Sequence, residues 1–197
     1  MKNIVYLCLC STVSCVLISC STSNLNHKKH QEFTSRPDYR QTHEVYRNEN
    51  LLKQADGSNT QVKIDLSDQR AQLLVGEKQE VALDLPCSTG KAGKRTPAGS
   101  FHIKKKVATK RSNIFGRFYR GSRVVYGGDR RKYRGGGRFV GSALPYWMRL
   151  TDSGIGMHYS AGVRRYACSN GCIRMPRDEV KTIFAKTKVG TPVQIIH

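Results

Sequence analysis

From Gln61 onward, short stretches of the chain alternate apolar and polar residues, which is the period of a β-strand with one buried face. Two of them, QVKIDLS and RAQLLVGE, are separated by turn residues and predict a hairpin. The stretch QEVALDLPCSTG continues as a third strand that ends in a turn. Further strands are predicted in GSFHIKKKVA, with Phe101 and Ile103 on one face, in PYWMRLTD and GIGMHYS around Gly154, and in the closing TPVQII.

One helix is predicted near the C-terminal end of the chain. Pro176 suits its first turn, and Gly190 marks its end. An apolar stripe along it consists of Val180, Ile183 and Phe184. Six or seven strands and one helix over residues 61–197 predict a single domain that is mainly β and large enough to bury its own core.

The N-terminal residues, MKNIVYLCLCSTVSCVLISC, place Lys2 before a short apolar run that ends at Ile18. The run is short for a bilayer-spanning helix and follows a positive charge, so residues 1–19 are predicted to be a secretory signal peptide. The small residue before Cys20 resembles the bacterial lipoprotein signal, in which the cysteine becomes the first mature residue and is acylated. The alternative is an ordinary signal peptide with an incidental cysteine. Lipidation of Cys20 implies a membrane-anchored protein of the periplasm or cell envelope, and Ser21 favours the outer membrane by the same resemblance.

Residues 20–60 are predicted to be the lipid anchor and a flexible polar linker, because they hold few large apolar residues and no sustained periodicity. A short helix is predicted within them, from Val45 to Lys53. A coil of about forty residues averages roughly 35 Å from end to end and can extend past about 100 Å. Such a segment would act as a tether between the membrane and the domain.

The formal net charge of +20 is extreme for 197 residues. In a cytosolic protein it would indicate nucleic acid, but export excludes nucleic acid as a partner and leaves the cell wall and lipid head groups. Between Lys104 and Arg138 the single acidic residue is Asp129, and glycines and aromatic residues separate the cations. Two interpretations stay open for this stretch: a solvated, mobile insertion, or a basic lid over a site for an acidic substrate.

The cysteines of the exported domain are Cys87, Cys168 and Cys172. Their odd number leaves at least one thiol unpaired in an oxidising compartment. Cys168 could pair with Cys172 or with Cys87. A zinc site that includes His158 is a weaker interpretation, because the C-x3-C spacing is unusual and no second pair of ligands completes a tetrahedron.

Cys172 is also placed as a nucleophile. Gly171 lets a backbone N–H approach closely, and the predicted helix begins a few residues later. The helix dipole, with Arg174 and Arg177, would favour a thiolate over a thiol. His158 ends a predicted strand and is a candidate for the base that accepts the thiol proton.

Three ordered motifs resemble the L,D-transpeptidases, the cysteine enzymes that cross-link bacterial peptidoglycan. They are His158 followed by SNGCIRMP at 169–176, the segment PCSTGKAGKRTPAGSFHI at 86–103, and GTPVQI at 190–195. The resemblance covers about residues 61–197. It implies a β-sandwich whose active site lies in a cleft under a lid, at the place of the basic stretch, with no cofactor or metal.

The resemblance also implies roles for the site residues. Cys172 would attack the carbonyl of the third residue in a donor tetrapeptide stem and release D-alanine, while His158 takes the thiol proton. An acceptor amine from another stem would resolve the thioester to a 3→3 link. Backbone N–H groups around Gly171 and Cys172 would form the oxyanion hole. Arg174 would hold the loop or a substrate carboxylate, and Ser169 would either orient the loop or be a plain turn residue.

Asn170 departs from the family, which usually has histidine at this position. Asparagine forms hydrogen bonds but does not titrate near neutral pH. If the usual histidine only shapes the loop, Asn170 can replace it; if that histidine shares the proton work, this enzyme is slower or uses His158 alone. Cys168, beside the motif, could form a reversible disulfide with Cys172. Alternative functions are a carboxypeptidase or a wall-protein attachment enzyme with the same acyl-enzyme, and a non-catalytic wall-binding lipoprotein.

Overall fold

The computed structural model describes residues 13–197, with side chains from residue 24 onward. The first part of the predicted signal peptide and the side chain of Cys20 lie outside the described residues. No helix within the described part is long and apolar enough to cross a membrane.

The helices are α1 (Val13–Thr34), α2 (Glu49–Gln54) and α3 (Arg177–Lys186), with a 3-10 turn at Arg130–Lys132. The strands of the described residues are β1 (Tyr46–Arg47), β2 (Thr60–Asp65), β3 (Arg70–Val75), β4 (Glu80–Pro86), β5 (Gly99–His102), β6 (Lys105–Arg120), β7 (Arg123–Asp129), β8 (Arg138–Arg149), β9 (Gly156–Tyr159), β10 (Ile173–Met175) and β11 (Pro192–Ile196).

The strands form two sheets, which confirms the prediction of a mainly β domain. The first sheet has the order β1-β4-β3-β2-β11-β5, and the second has the order β10-β9-β8-β6-β7. One apolar core joins side chains of both sheets and α3, including Leu73, Leu83, Met157, Ile173 and Ile183. The alternation seen in the sequence places these residues on the inner faces.

The predicted strand over GSFHIKKKVA is two strands in different sheets. The chain changes sheet at Ile103, which is buried and donates its N–H to the carbonyl of Thr191 at 3.0 Å. The next N–H, of Lys104, bonds the carbonyl of Arg149 in the second sheet at 2.7 Å. The following basic stretch forms β6 and β7, so it is an ordered hairpin and not a mobile insertion.

The segment predicted to be a flexible linker is also largely ordered and packed on the first sheet. Leu51 and Leu52 of α2 are buried in the core, and Asn48 caps that helix by accepting the N–H of Leu51. The expectation of a linker followed from the low apolar content of residues 20–60. It was wrong for the part from His30 onward, because a few buried apolar residues such as Leu51 and Leu52, together with buried polar contacts, are enough to hold that part.

Asp84, fully buried on β4, is the centre of those contacts. Its carboxylate accepts bonds from Arg70 at 2.7 Å, and from Gln72, Tyr39 and His30 at 2.9 Å each. Burial by itself would raise the pKa of Asp84, but the bonds from His30 and Arg70 outweigh it and hold the pKa below its usual range. The buried ion pair therefore fastens the end of α1 and the segment after it to the domain.

Candidate active site

His158 lies on β9, and Cys172 lies at the end of the loop directly before β10, the parallel neighbour of β9. In the β9–β10 register, Met157 pairs with Ile173 and His158 pairs with Arg174. Since the apolar pair faces the core, His158 and Arg174 face the opposite side, and Cys172, two residues before Arg174, shares that side. With strands about 4.8 Å apart and a rise of about 3.3 Å per residue, one diagonal step separates the two Cα atoms by about 8 Å. Both side chains line one cavity of about 550 Å³.

His158 is held in the tautomer that a general base needs. Its Nδ1 lies 2.7 Å from the carbonyl oxygen of Tyr159, and a carbonyl oxygen only accepts hydrogen bonds. Nδ1 therefore carries the proton, and Nε2 has the free lone pair. Burial lowers the pKa of His158 to about 4, the bond to Tyr159 opposes this, and the charge of Arg174 adds to it. The imidazole is neutral at neutral pH and able to accept a proton.

The Cys172 thiol is also neutral at rest. Its Sγ lies 3.8 Å from the carbonyl oxygen of Gly154, toward which the S–H donates. Burial raises the pKa of Cys172, and this outweighs the opposing effects of the Gly156 N–H and of Arg174. The resting pair is therefore thiol and neutral imidazole, so the predicted thiolate is a wrong expectation.

The helix-dipole argument fails because β10 separates Cys172 from α3. The helix begins at Arg177, beyond an extended strand, and the dipole acts only within about one turn of a helix end. The Arg177 guanidinium lies over the ring of Tyr159, 4.5 Å from its centroid. Neither the helix nor this cation reaches the sulfur as the sequence suggested.

Ser169 fixes the loop that carries Cys172. Its hydroxyl oxygen accepts the N–H of Gly171 at 3.0 Å and donates to the carbonyl oxygen of Cys172 at 2.5 Å. The side chain is almost wholly buried. These contacts favour the loop-orienting role over a plain turn residue. They also occupy the Gly171 N–H, which the sequence had suggested as an oxyanion donor.

The backbone conformation of Gly171 favours glycine, because its φ of +114° is one that residues with a Cβ rarely adopt. Its carbonyl oxygen accepts a bond from the hydroxyl of Thr96 at 2.8 Å. The same hydroxyl accepts the N–H of Gly90 at 2.9 Å, so Thr96 joins the upstream motif to the cysteine loop.

Further contacts bind these two segments together. Ser88 and Arg174 exchange backbone bonds of 3.0 and 2.9 Å, and the carbonyl of Thr89 accepts the N–H groups of Cys168 and Ser169, both at 2.9 Å. The side-chain amide of Gln69 makes two bonds to Thr89. Its oxygen accepts the backbone N–H of Thr89 at 2.9 Å, and its nitrogen donates to the hydroxyl of Thr89 at 2.8 Å.

Sequence reasoning identified the upstream motif but missed the supporting roles of Thr89, Thr96 and Gln69. Thr89 and Thr96 could have been found from their place in the upstream motif. The motif does not show which group each hydroxyl bonds. Gln69 has a φ of 50° and stands in a turn between two strands, so no motif marked it.

Arg174 is a cation without a carboxylate partner among residues 24–197. It lines the cavity, and its Nη1 lies 3.7 Å from Sγ of Cys168. Asn170, at the position where the family usually has histidine, also lines the cavity and is exposed. Arg174 is therefore placed to meet an anionic group that enters from solution.

The three cysteines among residues 24–197, Cys87, Cys168 and Cys172, are free thiols. Burial raises the pKa of Cys87 to about 12, which makes that thiol unreactive. A disulfide between Cys168 and Cys172 stays a prediction. No group of three or more His, Cys, Asp or Glu side chains suited to a metal ion occurs among the described residues.

The basic hairpin forms one wall of the cavity. The wall residues on β6, β7 and β8 are Ser112, Phe115, Gly116, Gly128, Ser142, Ala143, Leu144 and Pro145. His158, Cys172 and Arg174 line the same cavity. The hairpin therefore lies where the sequence expected a lid.

Comparisons with known proteins agree with this geometry. A family model described as the L,D-transpeptidase catalytic domain (YkuD) matches residues 59–195. No curated protein matches the chain at a significant level.

Solved structures with a similar fold include three L,D-transpeptidases. One is from Mycobacterium smegmatis, with 18% identity, a TM-score of 0.55, and coverage of 71% of this chain and 59% of that chain. A second is from Stackebrandtia nassauensis, with 21% identity, a TM-score of 0.52, and coverage of 74% and 60%. A third is LD transpeptidase LdtMt1 in complex with imipenem, with 22% identity, a TM-score of 0.54, and coverage of 70% and 59%. At these identities the likeness shows the fold alone, and the chain spans less than two thirds of each of these structures.

Proposed function

This chain belongs to the L,D-transpeptidase catalytic domain family, and from that premise we propose that it is a peptidoglycan L,D-transpeptidase with Cys172 as nucleophile and His158 as general base. The observation that carries the proposal is the shared cavity of these two side chains, one on β9 and the other at the end of the loop before β10. The fixed tautomer of His158 supports it further.

Proton transfer accompanies attack in this scheme, because thiol and imidazole are both neutral at rest. As Cys172 Sγ bonds to the carbonyl carbon of the third residue in a donor tetrapeptide stem, its proton moves to Nε2 of His158. The bond from Nδ1 to Tyr159 holds the ring and stabilises the imidazolium that forms. Since His158 has a low pKa, the imidazolium gives up its proton readily.

The imidazolium then protonates the leaving amine. The C–N bond to the terminal D-alanine breaks, D-alanine leaves with that proton, and a thioester remains on Cys172. An acceptor amine from a second stem attacks the thioester and gives a proton to His158, which returns it to the sulfur. The product is a 3→3 cross-link, and both catalytic groups recover their initial state.

We assign oxyanion stabilisation to the backbone N–H of Cys172. Of the two donors that the sequence suggested, the N–H of Gly171 is held by Ser169. Such a donor contributes about 3 kcal/mol to acyl transfer. Arg174, which has no carboxylate partner among the described residues, is assigned to a carboxylate of the donor stem, in a bidentate contact.

We also propose that residues 1–19 are a signal peptide and that Cys20 is lipidated, which places the enzyme in the periplasm on a membrane anchor. Since the carbonyl of Asn26 accepts a bond from Tyr46 at 3.3 Å, about six residues separate the anchor from the ordered part of the chain. They span at most about 20 Å, far less than the free tether that the sequence suggested.

Incubation of the mature chain with a tetrapeptide donor and an amine acceptor tests the proposed reaction. Mass spectrometry should detect cross-linked dimers and free D-alanine. Tripeptide without dimers would instead indicate a carboxypeptidase, and unchanged substrate would contradict catalysis. Imipenem should occupy the same cavity and block modification of Cys172 by an alkylating reagent.

A further inference from the structure

The distal half of the hairpin, residues 117–138, carries far more positive charge than the catalytic cavity needs. Eight lysines and arginines lie within it beside one acidic residue, Asp129. That carboxylate is already paired with Arg131 at 2.7 Å. The exposed cations are Arg117, Arg120, Arg123, Arg130, Arg131, Lys132, Arg134 and Arg138.

The hairpin holds these cations on a rigid support. Four aromatic rings pack together between its strands, with centroids 4.6 Å apart for Phe118 and Tyr133 and 4.8 Å apart for Tyr126 and Tyr133. Phe139 completes the cluster, 5.1 Å from Phe118. The aromatic cluster joins β6, β7, β8 and the turn after β7, so the cations are carried by packed structure and not by a free loop.

Some of these cations lie next to one another, so that their repulsion destabilises the hairpin. Arg120 and Arg123 are direct partners at the end of the β6–β7 pair, and like charges in this position destabilise a sheet. Arg130, Arg131 and Lys132 follow one another in a single turn. An anionic partner would remove this repulsion, and no such partner is found among the described side chains apart from Asp129.

The charged surface is continuous with the cavity. Phe115 and Gly116 of β6 line the cavity, and Arg117 follows directly on the same strand. From Gly116 to Arg120 the strand advances about 13 Å. A polymer that enters the cavity with one repeating unit can therefore lie along the hairpin with the next units.

We propose that residues 117–138 are a docking surface for polymeric peptidoglycan, which binds the carboxylates of stem peptides outside the catalytic cavity. Seven of the eight cations are arginines, whose planar guanidinium matches a carboxylate bidentately. This inference rests on the proposed function for its substrate class. The continuity with the cavity favours the polymer over an anionic membrane surface, to which such charges could also bind.

The test compares two variants of the mature chain with equal changes in charge. The hairpin variant carries Arg120→Gln, Arg123→Gln, Lys132→Gln and Arg134→Gln, none of which lies in the aromatic cluster or the cavity. The control variant carries Lys53→Gln, Lys78→Gln, Lys181→Gln and Lys188→Gln, which are exposed elsewhere. Sedimentation with purified sacculi measures binding, and a soluble tetrapeptide measures turnover in the cavity.

The hairpin variant should bind sacculi about tenfold more weakly than the control variant, because four exposed ion pairs each contribute a small factor. Wild-type binding should weaken as salt rises from about 0.05 M to about 0.5 M, and the hairpin variant should show a smaller change. Turnover of the soluble tetrapeptide should stay equal in all three proteins.

Equal binding of sacculi by the hairpin and control variants would overturn the proposal. So would a hairpin variant that loses binding to anionic phospholipid vesicles while it retains sacculi. Failure of the proposed function would look different, because wild type would then not turn over the soluble tetrapeptide, whatever the binding of sacculi.

Discussion

His158 and Arg174 are direct register partners across the parallel strands β9 and β10. This pairing places a permanent cation beside the proposed base, and the charge lowers the pKa of His158 in addition to the effect of burial. It also opposes the effect of burial on the Cys172 thiol. One arginine therefore influences both groups that exchange the proton.

The pH dependence of turnover should follow from this arrangement. His158 accepts a proton only when neutral, and its pKa of about 4 means that kcat/KM should rise with pH through about pH 4. An unperturbed histidine would place this rise, the acidic limb of the pH profile, near pH 6.5. Arg174→Gln should move the limb to higher pH, whereas Arg174→Lys, which keeps the charge, should not. A limb near 6.5 in wild type would contradict a buried, neutral base.

Ser169→Ala should lower kcat and also cost about 1–3 kcal/mol of stability, because a buried N–H and a buried carbonyl lose their partner. The substitution removes the bond to the Gly171 N–H and the bond to the Cys172 carbonyl, so the loop no longer holds the sulfur in one position. Misplacement of a reacting atom by about 1 Å can cost about a hundredfold in rate. Ser169→Thr keeps the hydroxyl and is the matched control. A kcat for Ser169→Ala within twofold of wild type would contradict the positioning role.

Asn170→His should change kcat/KM by less than about threefold, because Asn170 is exposed at the cavity and His158 already offers a free Nε2. The measurement is steady-state turnover of a tetrapeptide, with Asn170→Ala as the control for the side chain itself. A gain of about a hundredfold, together with a new ionisation near pH 6.5, would show that the enzyme lacks a proton carrier that related enzymes have.

Asp84→Asn should destabilise the domain by about 3 kcal/mol, because it leaves the buried guanidinium of Arg70 without its counter-charge. It should also free the chain around His30 and Tyr39 for proteolysis. In wild type the stabilisation from Asp84 is complete above its unfolded pKa of about 3.9 and is lost as pH falls through its lower folded value.

Glu49→Gln breaks the exposed pair with Arg47 and serves as the control, with an expected loss of less than about 1 kcal/mol. Urea unfolding and limited proteolysis measure both variants. A loss for Asp84→Asn no larger than that of the control would show that the segment is not fastened by this ion pair.

The sequence allowed the fold class and the two main site residues to be predicted, for different reasons. Some strands of the core alternate clearly, as in Thr60–Asp65, so their burial could be deduced from their pattern, whereas β3 and β4 are buried on both faces. His158 and Cys172 lie in motifs whose residue types limit the chemistry. These signals are local, and they do not depend on knowing which segments meet.

The remaining features depend on contacts between distant segments. Ile173–Met175 is three residues long and is a strand because it pairs with β9 and with Ser88. The sequence therefore did not show that an extended segment separates Cys172 from the helix. Burial of Cys172 and His158, which sets their protonation, follows from packing and not from residue type. The order in the N-terminal segment depends on Asp84, which follows Tyr39 by 45 residues.

Intact-mass spectrometry of the enzyme during turnover tests the central claim most directly. Wild type mixed with a tetrapeptide donor, without an acceptor, should gain the mass of the donor less its terminal D-alanine. Cys172→Ala should gain nothing, and His158→Gln should acquire the adduct at least about a hundredfold more slowly. An adduct of the same mass on Cys172→Ala, or equal rates in wild type and His158→Gln, would contradict the account.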